Sequence, residues 1–124
     1  MALLESELRD YLITTLAEVV SNNITFGLMP TESTISPVKI ATIYANGGET
    51  EGIFRFRVMT RGETHTEAMT YALAIYEELQ RLNKQALTSY RVYMITGQRP
   101  QQSGRTETGK FLTSSDYRME FTEL

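Results

Sequence analysis

The stretch from residue 52 to residue 84 constrains the fold most, because it joins a clear strand pattern to the clearest helix pattern of the chain. Over residues 53–60, apolar side chains alternate with polar ones. The apolar positions are Phe54, Phe56 and Val58, and the basic positions among them are Arg55 and Arg57. Successive side chains of a strand leave opposite faces, so this period of two predicts a half-buried strand.

A helix is predicted directly after this strand. Thr64 can accept a hydrogen bond from the backbone N–H of Glu67, and the Glu67 carboxylate can reach back to Thr64, which together make a capping box. Apolar residues then recur at helical spacing and form one stripe, so the helix is predicted from Thr64 to about Gln85. The stripe consists of Ala68, Ala72, Ile75, Leu79, Leu82 and Ala86.

The remaining elements lie on both sides of this unit. Regularly spaced leucines predict a first helix from about Leu3 to about Asn22, with its acidic residues away from the apolar stripe. Alternation predicts a short edge strand over 24–28 and longer strands over 38–45, 90–96 and 117–122. Asn46-Gly47-Gly48 predicts the turn of a hairpin that joins the second of these strands to the strand at 53–60.

This order of elements predicts an α+β fold, a mostly antiparallel sheet of four to five strands with two helices packed on one face. The 124 residues are expected to form a single domain, 1–124. Residues 97–110 contain no large apolar side chain and are predicted to be a mobile loop. The uncovered face of the sheet would carry Arg55, Arg57, Arg91, Tyr93, Arg118 and Glu120, in contact with solvent or a partner.

Composition argues against several classes of function. The chain has no cysteine and one histidine, so no metal site is expected, and its acids form no recognised loop for calcium or magnesium. His65 follows a helix cap, where side chains are usually exposed. Neither a nucleophile elbow nor a phosphate-binding glycine loop is present. We therefore expect no enzyme activity, no cofactor and no metal, and no membrane insertion, because the apolar run at 71–76 is too short to span a bilayer.

Charge is unevenly distributed along the chain. Residues 1–51 hold seven acidic and two basic side chains, a balance of −5, and residues 52–124 hold eight acidic and ten basic, a balance of +2, which together give the net charge of −3. This is either ordinary surface variation or the self-complementarity that a head-to-tail ring requires. A base-stacking sheet face built from Arg55, Arg57, Arg91 and Tyr93 is the weaker alternative, because the protein is acidic overall.

Two segments resemble the tail-terminator (tail-completion, or minor capsid) proteins of long-tailed bacteriophages. Phe54-Arg55-Phe56-Arg57-Val58 through Arg61, followed by 68–79, is similar to that family's central strand, arginine turn and long helix. The segment 98–121, with Pro100, Ser103-Gly104-Arg105-Thr106-Glu107-Thr108-Gly109-Lys110 and the strand around Tyr117, is similar to its late loop and final strand. Thr106 stands where the family commonly has an acidic residue, and Lys110 replaces another basic residue.

The resemblance implies a structural virion protein at the head-proximal end of the tail, made in the host cytoplasm during assembly. It would form a ring, usually of six copies, that caps the tail tube, stops its polymerisation and offers the head–tail joining surface. Its partners would be itself, the tail tube protein and the head–neck connector protein, with DNA passing through the ring only transiently. The residues expected at subunit or tube interfaces are Arg55, Arg57, Arg61, Arg91, Arg99, Arg105, Lys110, Glu5 and Asp10.

Two other functions remain open from the sequence. A head–neck connector subunit would also form a ring but would bind the portal side. A small ligand-binding or catalytic α+β domain would instead require a concave pocket with convergent polar groups.

Overall fold

The computed structural model describes residues 4–17, 19, 23–27, 39–50, 52–106 and 108–124, with the backbone alone for 46–50. Two helices and six strands make up this part of the chain. In chain order they are α1 (Leu4–Thr15), β1 (Ile24–Phe26), β2 (Ile40–Thr50), β3 (Ile53–Gly62), α2 (His65–Gln80), β4 (Tyr90–Gly97), β5 (Gln101–Arg105) and β6 (Phe111–Glu123).

The six strands form one sheet in the order β1-β2-β3-β6-β4, and β5 also pairs with β6. Only β1 and β2 run parallel, and every other pair is antiparallel. β3 pairs with β6 along one edge of β6, while β4 and β5 follow each other along the opposite edge. The prediction of an α+β fold with a mostly antiparallel sheet and two packed helices is therefore confirmed, with one strand more than expected.

The helices cover one face of the sheet, which we call the inner face. Its centre is a stack of aromatic rings, with the centroid of Phe56 5.3 Å from that of Phe54 and 5.0 Å from that of Tyr117. Burying such large rings supplies most of the free energy that drives a sheet and its helices together. The helices complete the same core with buried side chains that include Leu4, Leu8 and Leu12 from α1 and Ile75 and Leu79 from α2.

Helix α2 begins as the sequence predicts. The hydroxyl of Thr64 accepts a hydrogen bond from the backbone N–H of Glu67 at 3.1 Å. The Glu67 carboxylate, however, accepts from the N–H of Glu63 at 2.9 Å, one residue before the predicted partner. The helix ends at Gln80 rather than near Gln85, and Ala86 is exposed, so the apolar stripe is shorter than predicted.

The link between β3 and α2 brings strand and helix very close together. A Cβ atom added to Gly62 would lie 2.6 Å from the backbone nitrogen of Ala68 and 3.0 Å from its Cα. Glycine is the residue that permits such an approach because it has no side chain. The sharp entry into α2 therefore depends on the glycine at the end of β3.

Helix α1 is shorter than predicted and buries one of its acids. It ends at Thr15 instead of near Asn22. Glu7, expected outside the apolar stripe, is buried and accepts a hydrogen bond from the backbone N–H of Ser89 at 2.8 Å. The side chain thus ties α1 to the segment before β4, because a buried carboxylate needs a donor.

The hairpin between β2 and β3 turns later than predicted. Residues 46–48 lie within β2, where the register shifts between Ala45 and Glu49, and Thr50 pairs with Ile53. Gly52 takes the positive φ of 78° that a tight turn favours. The predicted positions Leu28 and Val38, and the loop between them, lie outside the described residues.

Two predictions near the C-terminal half are corrected by the sheet. Strict alternation in β4 is wrong, because the register shifts between Val92 and Met94, so that Met94 is exposed and Ile95 is buried. The segment 97–110, predicted as a loop, contains β5, which pairs with β6 at Gln101 and Arg105. The register shift in β4 acts as a β-bulge, which adds one residue to one strand of a pair and reverses which side chains face the core beyond it.

Candidate interaction surface

The outer face of the sheet, opposite the helices, carries rows of charged side chains that sit across neighbouring strands. We define it by its charged residues on β3, β4 and β6, which are Arg55, Arg57, Arg91, Asp116, Arg118 and Glu120. None of these six is buried, as expected for a face that no helix covers. This agrees with a chain of two layers, one of helices and one of sheet.

One row holds an ion pair made by two hydrogen bonds. Tyr44, Arg57 and Asp116 are partners across β2, β3 and β6. The Arg57 guanidinium donates to both Asp116 carboxylate oxygens, at 2.7 and 3.3 Å, and to the Tyr44 hydroxyl at 3.2 Å. The hydrogen bond to Asp116 raises the pKa of Arg57 above its ordinary value. Arg57 is therefore held in place within the chain.

The next row places two arginines opposite each other. Arg55 on β3 and Arg118 on β6 are direct partners in register. Arg118 has Glu120 at 3.5 Å, and Arg55 makes no ion pair within the described residues. Like charges directly opposite across a sheet destabilise it, so this row keeps positive charge that the chain itself only partly offsets.

The bulge in β4 adds apolar surface beside these arginines. Tyr93 is 53% exposed and Met94 is 48% exposed, and Met94 is the partner of Glu120 in register. Arg91, on the same strand, is exposed as well. The sequence predicted Tyr93 on this face but placed Met94 on the other, because a bulge leaves no mark in a pattern of alternation.

The remaining predicted basic residues lie away from this face. Arg99 is exposed in the short link between β4 and β5. Arg105 donates to the carbonyl of Gly109 at 3.2 Å, and its guanidinium carbon lies 4.5 Å from the centroid of the Phe111 ring. Lys110 forms an ion pair with Glu63 at 2.7 Å, which joins the tip of the β5–β6 hairpin to the residues before α2.

Arg61 and the predicted acids occupy three different settings. Arg61 is only 2% exposed, so the isolated chain offers almost no surface at this residue, and its expected role at an interface stays a prediction. Glu5 is half-buried on α1. Asp10 is exposed on α1 and approaches Arg9 at 3.5 Å, while the Arg9 Nε donates to the carbonyl of Ile24 at 2.8 Å.

The described residues hold little that suggests chemistry. No three His, Cys, Asp or Glu side chains among them come together to hold a metal ion. His65 is exposed at the start of α2, with its ring centroid 6.2 Å from that of Phe111. A pocket of about 340 Å³ lies by the first turns of α2, lined by Lys39, Thr64, Thr66, Glu67, Thr70 and Tyr71. The lining consists of three threonine hydroxyls, one amine, one carboxylate and one tyrosine ring.

None of the described helices is long and apolar enough to cross a membrane. Neither a family model nor a curated protein matches the sequence. Among solved structures, the chain is similar to a chain of the virion of native gene transfer agent (GTA) particle, with a TM-score of 0.68 and 14% sequence identity. The similarity covers 98% of this chain and 95% of that one. The two chains share a fold. At this level of identity the likeness extends to the fold alone.

Proposed function

We propose that this protein is a structural virion subunit that assembles into a ring, caps the tail tube and provides the surface for joining head to tail. The observation that carries the proposal is the fold shared with a chain of a gene transfer agent virion, because the similarity spans nearly the whole of both chains. The proposal thus concerns the fold unit itself and not an appended part.

The surface of the chain is compatible with assembly. The outer face combines arginines with exposed Tyr93 and Met94, residue types that are enriched where protein surfaces meet. The acidic and basic halves of the sequence would let one copy bind the next in a head-to-tail ring. In such a ring, the tip of the β5–β6 hairpin, which includes Thr106 and residues 108–110, and the predicted interface residues Arg99 and Arg105 are candidates for contact with the tube or with a neighbour.

The first experiment is the mass in solution, measured by multi-angle light scattering over a range of protein and salt concentrations. We expect a closed oligomer, or a monomer that converts to one as concentration rises, and negative-stain electron microscopy should show rings. Contacts between charged surfaces weaken as salt screens them, so dissociation at high salt would fit the charge argument. A strict monomer at every concentration would overturn the ring.

The second experiment separates tube capping from the connector role. The tail tube protein of the same particle is polymerised alone, with this protein, and with an unrelated protein at equal concentration. Capping predicts shorter tubes that carry extra density at one end, and only in the mixture that contains this protein. Unchanged tubes together with binding to the portal-side ring would assign the protein to the connector and overturn the capping role.

A further inference from the structure

We propose that the outer sheet face around Arg55 and Arg118 binds the acidic side of helix α1 in a second copy of this chain. The inference rests on the proposed ring, because it names the two surfaces that meet between neighbouring subunits. One surface lies on the sheet layer and the other on the helix layer, so each copy can use both at once.

The sheet surface has an excess of positive charge at its centre. Its four arginines, Arg55, Arg57, Arg91 and Arg118, are accompanied by two acids, Asp116 and Glu120, which leaves a balance of +2. Asp116 is engaged with Arg57 at 2.7 Å, and Glu120 reaches Arg118 only at 3.5 Å. The direct pairing of Arg55 with Arg118 is unfavourable in the isolated chain. An acidic partner would relieve it.

The apolar part of this surface favours a protein partner. Tyr93 and Met94 are both about half exposed and lie on the strand next to β6. A contact that covers them removes apolar area from water, while the arginines at the same place supply charge-assisted hydrogen bonds. The phosphates of a nucleic acid would pair with the arginines but would offer no apolar surface to cover Met94. The combination therefore fits an acidic protein surface better than DNA.

Helix α1 provides such a surface. Its acids outside the core are Glu5 and Asp10 against a single base, Arg9, a balance of −1. The side chain of Asp10 is 69% exposed, and within the described residues it forms an ion pair with Arg9 at 3.5 Å. The last turn of α1 contains no basic residue. α1 thus presents negative charge that its own side chains only partly balance.

Helix α2 is the less suitable partner although it also carries acids. Glu78 is buried and paired with Arg81 at 3.1 Å. Lys84 follows a few residues later, so basic side chains accompany the acids at this end of α2. The two acids at this end, Glu77 and Glu78, are matched by two bases, and Glu67 at the other end already accepts a hydrogen bond from the N–H of Glu63. Helix α1 keeps an excess of one acid, so it is the better match for the outer face.

The two surfaces differ, so their contact is heterologous. A contact of this kind leaves one copy of each surface free at the ends of any open chain, and repetition either closes a ring or extends a filament. Because the two surfaces lie on opposite layers of each copy, two copies alone cannot form both contacts at once. The proposal therefore predicts that association proceeds beyond two copies.

Charge reversal tests the contact. The sheet variant carries Arg55→Glu and Arg118→Glu, and the helix variant carries Glu5→Lys and Asp10→Lys. We expect each variant alone to weaken self-association at least about tenfold in light scattering, because like charges facing each other across a contact are strongly unfavourable. An equimolar mixture of the two variants should associate again, since both alternating contacts then join opposite charges. The chain with all four substitutions should also self-associate.

Control variants place single charge reversals of each sign elsewhere on the helix layer. Lys84→Glu reverses an exposed base after α2, and Glu77→Lys reverses an exposed acid on α2. Both should associate as the unchanged protein does. Far-UV circular dichroism and urea unfolding show that each variant is folded before its mass is interpreted.

Each outcome has a defined meaning. A sheet variant that associates normally overturns this contact while the ring function stands, and the same holds if the mixture of variants fails to restore association. Loss of association by Glu77→Lys but not by the helix variant would assign the contact to α2 and overturn the proposal. A sheet variant that associates normally but loses binding to a double-stranded DNA probe assigns the face to DNA. A strict monomer of the unchanged protein overturns both the ring and the contact.

Discussion

Replacing Gly62 with alanine tests the close approach of α2 to β3. The added Cβ would lie 3.0 Å from the Ala68 Cα, a tight contact, and 2.6 Å from the Ala68 nitrogen, closer than real Cβ contacts come. Neither side can easily retreat, because β3 is hydrogen-bonded to β2 and β6 on both edges and Thr64 caps the helix two residues later. The substitution therefore forces a shift of backbone and not of a flexible side chain.

The magnitude follows from two opposing effects. Overpacking of this kind costs roughly 3 kcal/mol at the upper end of the usual range. Alanine restricts the unfolded chain more than glycine does, and this effect alone raises the free energy of unfolding by up to about 1 kcal/mol. We expect Gly62→Ala to lower the free energy of unfolding by about 2 kcal/mol and the melting temperature by roughly 8 °C. Urea unfolding followed by far-UV circular dichroism measures the first quantity directly.

The double variant with Ala68→Gly identifies the atoms responsible. Ala68→Gly alone should cost about 1 kcal/mol, because glycine is a poor helix former. It removes only the most distant of the three close contacts, the Cβ at 3.2 Å, and leaves the backbone nitrogen and Cα in place. The two changes should therefore add. Rescue of Gly62→Ala by Ala68→Gly, or a Gly62→Ala variant as stable as the unchanged protein, would refute the backbone contact.

Three further predictions concern single side chains. Burial raises the pKa of Tyr117 above its unfolded value of about 10, so the stability linked to its proton is complete below that pH and is lost as the pH rises through the folded pKa. Unfolding titrations above about pH 10 should therefore show a shallower fall in stability for Tyr117→Phe than for the unchanged protein, and equal slopes would contradict the burial. Thr64→Ala should cost about 1 kcal/mol in urea unfolding through the lost helix cap, whereas Thr66→Ala, exposed in the first turn, should cost less than half of that. A double-mutant cycle of Arg57→Ala and Asp116→Ala should give a coupling below about 1 kcal/mol that shrinks in high salt, because the pair is partly exposed; a larger, salt-independent coupling would argue against that exposure.

The parts of the fold that the sequence predicted are those where side chains alone determine the structure. The cap at Thr64 needs only its hydroxyl and the backbone N–H of Glu67 three residues later, so the local sequence is enough to predict it. The alternation at 53–60 determined which side chains of β3 face the helices, and Phe54, Phe56 and Val58 are all buried. The exposure of Arg55 follows from the same pattern.

The parts that could not be predicted depend on the backbone or on distant partners. The sequence of β5 shows no apolar alternation, because this strand forms by pairing with β6. The link before β5 is also bonded to β6, since the backbone N–H of Gln98 donates to the carbonyl of Asp116 at 2.9 Å. The bulge in β4 and the burial of Glu7 likewise arise from residues far along the chain. Periodicity in the sequence cannot reveal such contacts.

The candidate surface was predicted only in part for the same reason. Alternation placed Arg55, Arg57 and Arg118 on one face, and the sheet brings them together. Their partners across the strands, such as Tyr44 and Asp116, depend on register, which alternation does not give. Which surfaces meet a partner, and the number of subunits, stay predictions for the experiments described above.

The position of β6 has a consequence for how the chain folds. β6 is the last element in chain order, yet it lies between β3 and the pair β4 and β5. Its partners in β3 are 49 to 67 positions earlier, from Gly62↔Phe111 to Ile53↔Glu120. Sheets built on such distant pairs fold slowly, because the loop must close before the contacts form. During synthesis on a ribosome, the sheet therefore stays open until residues 111–123 have emerged, and the aromatic face of β3 needs protection until then.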